Sequence, residues 1–393
     1  MSGVAVVGAG IAGVRAAESL RSSGYSGQIT LIGDEAPLYR PSVSKEALSL
    51  ASTGTFPMPM KQSESEFTWS LGSTVQKVEL LQQLLTYQDS AGALLEMHFD
   101  GLILATGLRP RSLPIPGPAS GRHLLRTLAQ AENLAQHLQP GIRVTIVGSG
   151  FVGCEVAAAA ITRGCEVTVI SPELIPLASA VGDTIGEIVT QRHLDYGVRF
   201  ILGQTVREYR GDSTIREVVL EDGQVIGTDL VLEAIGSQPN VEWLEGQGLD
   251  TSNGVLADGR LRTLGTTAAV FACGDIARHP NALFGPAARR VEHWTVAGDT
   301  GTYAGKALHS LLDSGGIELA PFAVVPSFWS DQYDMQIQSF GIPQLASDHT
   351  VIELNEDGSC IIECRDSQGL VAVIGINRTA ELARYRKSLS SRQ

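Results

Sequence analysis

Short apolar runs that end in glycine-rich turns recur along this chain of 393 residues. The run from Val4 to Val7 is followed by a glycine-rich turn and by a helix-like segment from Val14 to Leu20. A second strand-like run, from Gln28 to Ile32, is followed by the acidic pair Asp34 and Glu35. Strand, glycine turn, helix, strand and acid, in that order, indicate a nucleotide-binding βαβ unit.

The whole pattern returns in the middle of the chain. Arg143 to Val147 reads as a strand, Cys154 to Arg163 as an alanine-rich helix and Glu166 to Ile170 as the next strand, with a second glycine turn between the first strand and the helix. Repetition of the motif in the same context predicts two Rossmann-like dinucleotide-binding domains rather than one chance match.

Three further apolar runs stop at small-residue turns: Leu102 to Gly107, Val231 to Gly236 and Val270 to Asp275. From about Pro321 onwards, alternating strand-like segments predict a small α/β C-terminal domain. The basic, serine-rich tail after Ala380 predicts a helix that frays. The expected fold class is therefore α/β throughout.

Composition narrows the possible partners. The net charge of −13 and the pI of about 5.1 disfavour nucleic acid and membranes, because no cluster of Lys and Arg offsets the acidic balance. No apolar stretch is long enough for a membrane span. Five cysteines without a close pair indicate reduced thiols and a cytoplasmic protein. Cys360 and Cys364 fit a strand better than a metal site, and no metal is expected.

The two glycine turns have the pattern that dinucleotide binding requires. In each Gly-x-Gly-x-x-Gly motif, the first glycine makes the turn, the second lets backbone N–H groups approach a pyrophosphate, and the third allows close packing of helix on strand. The N-terminus of the following helix adds unpaired N–H groups and a partial positive charge. The motif glycines are Gly8, Gly10 and Gly13 in the first unit and Gly148, Gly150 and Gly153 in the second.

The residues after the second strand differ between the two units. Asp34 and Glu35 are placed to accept hydrogen bonds from ribose hydroxyls, or alternatively to cap a turn. The second unit has Ser171 at the corresponding position, and a serine can bond either a 2′-hydroxyl or a 2′-phosphate. No arginine follows directly and Glu173 lies close by, so the pattern favours NADH and leaves NADPH open.

Longer motifs carry a family resemblance that covers essentially the whole chain in order. They are Tyr39-Arg-Pro-Ser-Val-Ser-Lys-Glu-Ala-Leu48, Ala105-Thr-Gly-Leu-Arg-Pro-Arg111, Arg126-Thr-Leu128 and Pro326-Ser-Phe-Trp-Ser-Asp-Gln-Tyr333. With these motifs the chain resembles the FAD-dependent NAD(P)H:ferredoxin reductases of Rieske oxygenase and bacterial cytochrome P450 systems. Rubredoxin reductase and apoptosis-inducing factor are wider relatives.

The resemblance implies a domain organisation. It indicates two Rossmann-like domains in a glutathione-reductase-like arrangement, plus the small α/β C-terminal domain. Residues 1–112 together with 242–319 would form the FAD-binding domain, residues 113–241 the NAD(P)-binding domain and residues 320–393 the C-terminal domain.

Three residues form the candidate catalytic set. Lys45 resembles the family lysine beside the isoalloxazine ring, and Glu155 resembles the glutamate that pairs with it and meets the nicotinamide. Because Glu155 stands in an apolar, alanine-rich helix where an unpaired carboxylate is costly, a partner is also expected on physical grounds. Trp329 resembles an aromatic residue at the flavin edge. A solvated Lys45 and a Trp329 in the plain core stay open as alternatives.

The resemblance also implies roles in cofactor binding. Arg40 would reach the flavin phosphates, and Asp275 would lie near the ribityl chain at the start of a helix. Val296 and Thr300 stand where the family often shows Asn and Gln, which leaves the polar contacts of that helix open. The expected FAD-binding residues are Gly8, Gly10, Ile11, Ala12, Gly13, Asp34, Glu35, Arg40, Lys45, Val75, Ala105, Thr106, Gly107, Arg126, Gly274, Asp275, Glu292, His293, Trp294 and Trp329. The expected NAD(P)H-binding residues are Gly148, Gly150, Phe151, Val152, Gly153, Glu155, Ser171, Ile235 and Gly236.

By this resemblance the chain transfers hydride from NAD(P)H to FAD and then single electrons to a [2Fe–2S] ferredoxin that serves an oxygenase or a cytochrome P450. An NADH oxidase or disulfide reductase needs a thiol at the flavin, and the segment from Arg40 to Lys45 contains serines instead. Rubredoxin reductase activity and an NADH-binding role like that of apoptosis-inducing factor are further alternatives. The ferredoxin would dock near Trp329, aided by a basic patch from Arg289, Arg290 or the C-terminal tail, on a chain that is a monomer or a weak dimer.

Overall fold

The computed structural model describes residues 3–49 and 55–392. The first part of the chain contains β1 (Gly3–Val7), α1 (Ile11–Ser22), β2 (Ile29–Gly33), β3 (Thr68–Leu71), β4 (Thr74–Glu79), β5 (Leu84–Gln88), β6 (Leu94–Leu104) and β7 (Leu108–Pro110). Strands β1 and β2 are buried along their whole length, because α1 and α6 cover one face of the sheet and apolar residues that include Val78, Leu85 and Val255 cover the other.

Strand β6 joins two kinds of sheet. Its second half runs parallel to β1, which also pairs in parallel with β2, and β2 pairs in parallel with β3. Its first half pairs antiparallel with β5, and β5 pairs antiparallel with β4. A small antiparallel ribbon therefore extends from one strand of the parallel sheet.

The middle part of the chain forms a second, inserted unit. It contains β8 (Arg122–His123), α2 (Leu128–His137), β9 (Arg143–Val147), α3 (Phe151–Thr162), β10 (Glu166–Ser171), α4 (Ala178–Val181), α5 (Asp183–Asp195), β11 (Arg199–Leu202), β12 (Val206–Arg210), β13 (Glu217–Leu220), β14 (Val225–Gly227), β15 (Leu230–Glu233) and β16 (Ser237–Pro239). Its parallel sheet has the order β11-β10-β9-β15-β8, and β12, β13 and β14 form an antiparallel sheet. Because β16 pairs with β7, the chain enters and leaves this unit through two hydrogen-bonded strands.

The chain then returns to the first unit. This part contains β17 (Val255–Leu256), β18 (Val270–Ala272), β19 (Ala277–Arg278) and α6 (Trp294–Ser314). Strand β18 pairs in parallel with β6 and completes the order β3-β2-β1-β6-β18. Helix α6 packs on α1 through glycines, since a Cβ on Gly301 would lie 2.2 Å from the carbonyl oxygen of Ala12 and a Cβ on Gly305 would lie 2.3 Å from that of Ala16.

The C-terminal unit is a single antiparallel sheet with one helix. It contains β20 (Ser327–Gln332), β21 (Met335–Gly341), β22 (Asp348–Leu354), β23 (Cys360–Asp366), β24 (Gly369–Ile376) and α7 (Thr379–Ser390). The strand order is β20-β21-β24-β23-β22. Helix α7 buries Leu382 and Leu389 in a cluster with Phe340 and Val373 of the sheet, so the expected fraying of the tail helix is wrong.

The predicted fold class of two Rossmann-like units and a C-terminal domain is confirmed. Asp275 lies, as expected, in the first turn of a helix, but this is a 3-10 helix of three residues, Gly274–Ile276, which runs directly into β19. The domain boundaries stay predictions.

None of the helices in the described ranges combines the length and the hydropathy that crossing a bilayer requires.

Replacing Gly301 by alanine is expected to lower the free energy of unfolding by about 1–3 kcal/mol, because the new methyl group collides with the α1 backbone and forces the two helices apart. Urea unfolding followed by circular dichroism measures the change. Gly316→Ala is the matched control, since a Cβ there meets no atom within 4 Å. Equal midpoints for the two variants would contradict the close packing of α1 on α6.

Candidate active site

Two adjoining cavities lie at the carboxyl ends of the parallel strands in the first unit. Their volumes are about 600 Å³ and about 280 Å³. The larger extends to Val75 and Trp243, and the smaller extends to Lys45, Glu155 and Trp294. Both are lined by Gly8, Asp34, Arg40, Thr106, Leu108 and Arg126. The shared lining makes them two halves of one elongated cleft, at the place where open α/β sheets bind nucleotides.

The first glycine turn has the shape that a pyrophosphate needs. A Cβ on Gly8, whose φ is +115°, would lie 2.1 Å from the Ala105 carbonyl oxygen, and a Cβ on Gly13 would lie 1.9 Å from that of Gly8. A Cβ on Gly10 would meet no protein atom within 4 Å. Gly8 and Gly13 thus serve backbone packing, while Gly10 faces the open cleft where α1 begins.

The second glycine turn repeats this geometry in the inserted unit. A Cβ on Gly148, whose φ is +109°, would lie 2.3 Å from the Ala234 carbonyl oxygen, and a Cβ on Gly153 would lie 2.1 Å from that of Gly148. Gly150 again faces open space at the start of a helix, here α3. The inserted unit therefore offers a second dinucleotide site of the same kind.

Two arginines bring positive charge to the cleft. Arg40 donates a hydrogen bond of 2.7 Å to the carbonyl oxygen of Arg126, and the Arg126 guanidinium pairs with Asp275 at 2.9 Å. Burial, followed by the nearby charge of Arg126, lowers the pKa of Arg40. Two neighbouring cations beside an open glycine turn favour a bound anion, so the cleft fits the pyrophosphate of FAD.

The acidic pair has two separate roles. Asp34 faces both cavities, and within the described residues it forms no hydrogen bond, so its carboxylate is available to a ribose. Glu35 pairs with Arg40 at 2.9 Å and accepts a hydrogen bond of 3.1 Å from the backbone N–H of Leu128, the first residue of α2. Glu35 therefore serves as a partner for Arg40 and for the start of α2, which is neither ribose binding nor the capping of its own turn.

Lys45 and Glu155 form an ion pair where the first and second units meet. Lys45 Nζ lies 2.9 Å from Glu155 Oε1, and their side chains are 13% and 5% exposed. Glu155 also accepts hydrogen bonds from Ser44 Oγ at 2.5 Å and from Ser330 Oγ at 2.6 Å. The partner expected for a carboxylate in an apolar helix is thus present, together with two further donors.

Ser44 and Ser330 are site residues that the sequence did not assign, although both lie within the longer motifs. Thr300 is another: it accepts a hydrogen bond of 2.9 Å from the backbone N–H of Gly274 and so holds the turn that carries Asp275. Trp243 lines the larger cavity without any local sequence signal.

The start of α6 contributes Glu292 and Trp294 to the smaller cavity. Glu292 pairs with Arg290 at 2.8 Å, and the Trp294 ring lies edge-on to Tyr39 with centroids 5.3 Å apart. His293 is not among the lining residues and packs against the Phe328 ring. Burial lowers the pKa of His293 to about 4, against the opposing charge of Asp275, so this imidazole is neutral at pH 7.

Trp329 does not line either cavity. It is half-buried in β20, and because strand residues alternate between faces, it lies on the face opposite Ser330. Its assignment to the flavin edge stays a prediction.

In the inserted unit, the predicted coenzyme residues fall into two groups: those that are open to a ligand and those that pack or form hydrogen bonds within the protein. Val152 is exposed and lines the smaller cavity, and Gly236 has a φ of +90°. Phe151 instead packs against Phe328, and Ile235 packs against a hydrophobic cluster that includes Val147 and Val231 of the parallel sheet. Ser171 is buried, and its hydroxyl accepts hydrogen bonds from Ser149 Oγ at 2.8 Å and from the backbone N–H of Glu173 at 3.2 Å. Ser171 therefore secures the turn and offers little surface to a coenzyme.

Across residues 3–49 and 55–392, no group of three or more His, Cys, Asp or Glu side chains is arranged to hold a metal ion.

Comparison with known proteins gives consistent matches. The family model described as "Pyridine nucleotide-disulphide oxidoreductase" matches residues 2–301, and "Reductase C-terminal" matches residues 327–393. Rhodocoxin reductase of Rhodococcus erythropolis is 31% identical, over 99% of this chain and 89% of the relative. The ferredoxin–NAD(+) reductase component of the anthranilate 1,2-dioxygenase system of Burkholderia cepacia is 34% identical, over 86% and 81%. The covalent putidaredoxin reductase–putidaredoxin complex superposes with a TM-score of 0.88 at 26% identity, over 100% of this chain and 93% of that one.

A side chain introduced at either of the two open glycines should impair one nucleotide site and leave the other intact. Gly10 and Gly150 have the same extended backbone and open surroundings, so Gly10→Val and Gly150→Val are both expected to fold. Gly10→Val is expected to weaken FAD binding roughly tenfold, about 1.4 kcal/mol, whereas Gly150→Val retains FAD and raises the KM for NADH by a similar factor. The ratio of flavin to protein absorbance and steady-state kinetics measure the two effects. Loss of flavin from Gly150→Val would contradict the assignment.

Proposed function

Because the chain belongs to the pyridine nucleotide-disulphide oxidoreductase family, we propose that it is an FAD-dependent NADH:ferredoxin reductase. It passes electrons from NADH to a [2Fe–2S] ferredoxin that serves a Rieske oxygenase or a cytochrome P450. The resemblance indicated by the sequence motifs is confirmed, since the relatives include the reductase component of a dioxygenase system.

The observation that carries the proposal is the Lys45–Glu155 pair. It joins the wall of the first-unit cleft to the helix that follows the second glycine turn, so one ion pair lies where the two dinucleotide sites approach each other. When bound, FAD would accept two electrons from NADH and release them one at a time. Lys45 places a fixed cation beside the cleft, and Glu155 orients that cation.

The cysteines support an acceptor outside the chain. All five are buried and free, and burial raises the pKa of each thiol. Cys154 lies next to Glu155 in α3, but it is fully buried and Glu155 raises the pKa of its thiol further. A buried neutral thiol is inert in redox exchange. Reduced, buried cysteines are also what we expect in the cytoplasm, where we propose that the enzyme works.

The basic surface proposed for ferredoxin docking is helix α7. Arg289 donates to the carbonyl oxygens of Phe284 and Ala287, and Arg290 is paired with Glu292, so these two arginines are engaged locally. Helix α7 instead presents exposed side chains at Arg384, Arg386 and Lys387.

The position of α7 relative to the site supports this surface. Burial raises the pKa of Asp299 on α6, and the positive charges of Arg386 and Lys61 act in the opposite direction, so the charge of Arg386 is felt on α6. Helix α6 begins at Trp294, which lines the smaller cavity. Cations here complement an acidic partner and speed its encounter with the reductase.

Lys45→Ala is expected to slow flavin reduction by NADH about 10²- to 10³-fold while changing NADH affinity only slightly, because the lost cation stabilises the transition state more than the bound coenzyme. Anaerobic stopped-flow absorbance at several NADH concentrations separates the rate from the affinity. Lys77→Ala is the control, because it also removes a lysine but at an exposed position on β4. If NADH reduced the flavin of FAD-loaded Lys45→Ala at the wild-type rate, Lys45 would have no role in the mechanism.

The proposed function is tested by offering the NADH-reduced enzyme one acceptor at a time: a [2Fe–2S] ferredoxin coupled to cytochrome c, a rubredoxin, oxygen, or a small disulfide. Ferredoxin should be reduced fastest. Arg386→Glu should raise the KM for ferredoxin several-fold, with flavin reduction by NADH unchanged. Faster turnover with rubredoxin would establish the rubredoxin reductase alternative, and equal consumption of oxygen or disulfide would overturn the proposal.

A further inference from the structure

A buried chain of hydrogen bonds leads from the Lys45–Glu155 pair into the protein. Ser330 Oγ, 2.6 Å from Glu155 Oε1, lies 3.0 Å from Gln332 Nε2. Gln332 Oε1 lies 2.9 Å from Nε2 of His193, whose Nδ1 lies 3.2 Å from the Tyr333 hydroxyl. Ser330, Gln332 and His193 are each at most 1% exposed. The chain thus continues without solvent from the site to the far end of β20.

Every bond in this chain is donated towards Glu155. A carbonyl oxygen only accepts, so the imidazole of His193 donates from Nε2 to Gln332 and accepts at Nδ1 from the Tyr333 hydroxyl. The Gln332 amide then donates to Ser330, and the Ser330 hydroxyl donates to the carboxylate. Bonds aligned in one direction polarise one another and strengthen the last one. Burial lowers the pKa of His193, so the imidazole stays neutral and keeps both roles.

The outer end of the chain is held firmly. Tyr333 has a φ of +54°, which is uncommon for a residue with a side chain, and its ring stacks on Tyr196 with centroids 3.9 Å apart. The neighbouring Asp334 forms an ion pair with Arg192 of α5. Glycine or asparagine would fit this turn with less strain, so a tyrosine here carries a conformational cost.

From this geometry we propose that His193 is a positioning residue for the Lys45–Glu155 pair, and through that pair for the transfer of electrons from NADH. The inference rests on the proposed function. His193 is not among the residues that line the two cavities, and it acts by fixing Gln332 and Ser330, whose hydroxyl orients the Glu155 carboxylate towards Lys45.

Removal of the imidazole should loosen the ion pair. In His193→Leu the Gln332 carbonyl loses its donor and the amide is free to turn away from Ser330. The rate of flavin reduction should fall roughly three- to tenfold with little change in the KM for NADH, an effect typical of coupling through a packed network. His193→Gln, whose amide can replace the Nε2 donor, should restore most of the rate.

A second readout uses the protein without coenzyme or ferredoxin. The rate at which an amine-reactive reagent acetylates Lys45, followed by peptide mass spectrometry, reports how tightly the pair is held, and exposed Lys77 provides the internal reference. We expect Lys45 to react several-fold faster in His193→Leu and in the milder Ser330→Ala, and at the wild-type rate in His193→Gln.

Ile185→Ala is the control for packing, because Ile185 is buried on the same helix, α5, and takes no part in the hydrogen bonds. The proposal is supported if Lys45 reactivity rises in His193→Leu and Ser330→Ala but not in Ile185→Ala at matched loss of stability. It is overturned if Ile185→Ala has the same effect or if His193→Gln restores nothing. Because this readout needs no electron acceptor, it is interpretable even if ferredoxin proves to be the wrong partner.

Discussion

A carboxylate removed from water has to be met by hydrogen-bond donors, and in this chain no single unit provides them all for Glu155. Ser44 and Lys45 come from the first unit, Ser330 comes from β20, and Glu155 itself lies on the helix after the second glycine turn. Separation of the units would break these three contacts together, and the carboxylate would exchange them for hydrogen bonds to water. This one side chain therefore links all three units, alongside the apolar clusters that span the same boundaries.

Glycine sets the complementary constraint, which is steric. At both turns the first and third motif glycines let backbone atoms approach to distances that no Cβ tolerates, and the middle glycine stays clear of the protein. Gly301 and Gly305 extend the same requirement to the contact between α1 and α6. The glycine turns of the cleft are consequently packed backbone, which has few ways to move, while charged side chains such as Asp34, Arg40 and Arg126 line the cavities beside them.

Local rules explain what the sequence predicts well and what it misses. The strands and the turns follow from short-range pattern, and the need of Glu155 for a partner follows from the cost of burying a charge. Its pairing with Lys45 is implied by the family resemblance. Ser44 and Ser330 donate to a residue 111 and 175 positions away, and no local pattern encodes such contacts. The division of labour between Asp34 and Glu35, and the burial of Ser171, likewise depend on neighbours that the fold supplies. The tail helix was expected to fray because its composition is polar, whereas two buried leucines secure it.

The pairing of β7 with β16 has a consequence for the order in which the protein is made. All strands of the inserted sheet lie between these two, so that sheet is complete on synthesis of β15, and its two ends meet once β16 follows. The first unit must wait for β18 and α6, and until they emerge from the ribosome one edge of β6 and one face of α1 have no cover. The synthesis of the first unit thus begins before that of the inserted unit but is completed after it. Before β18 and α6 are synthesised, the incomplete first unit exposes the most apolar surface for a molecular chaperone to protect.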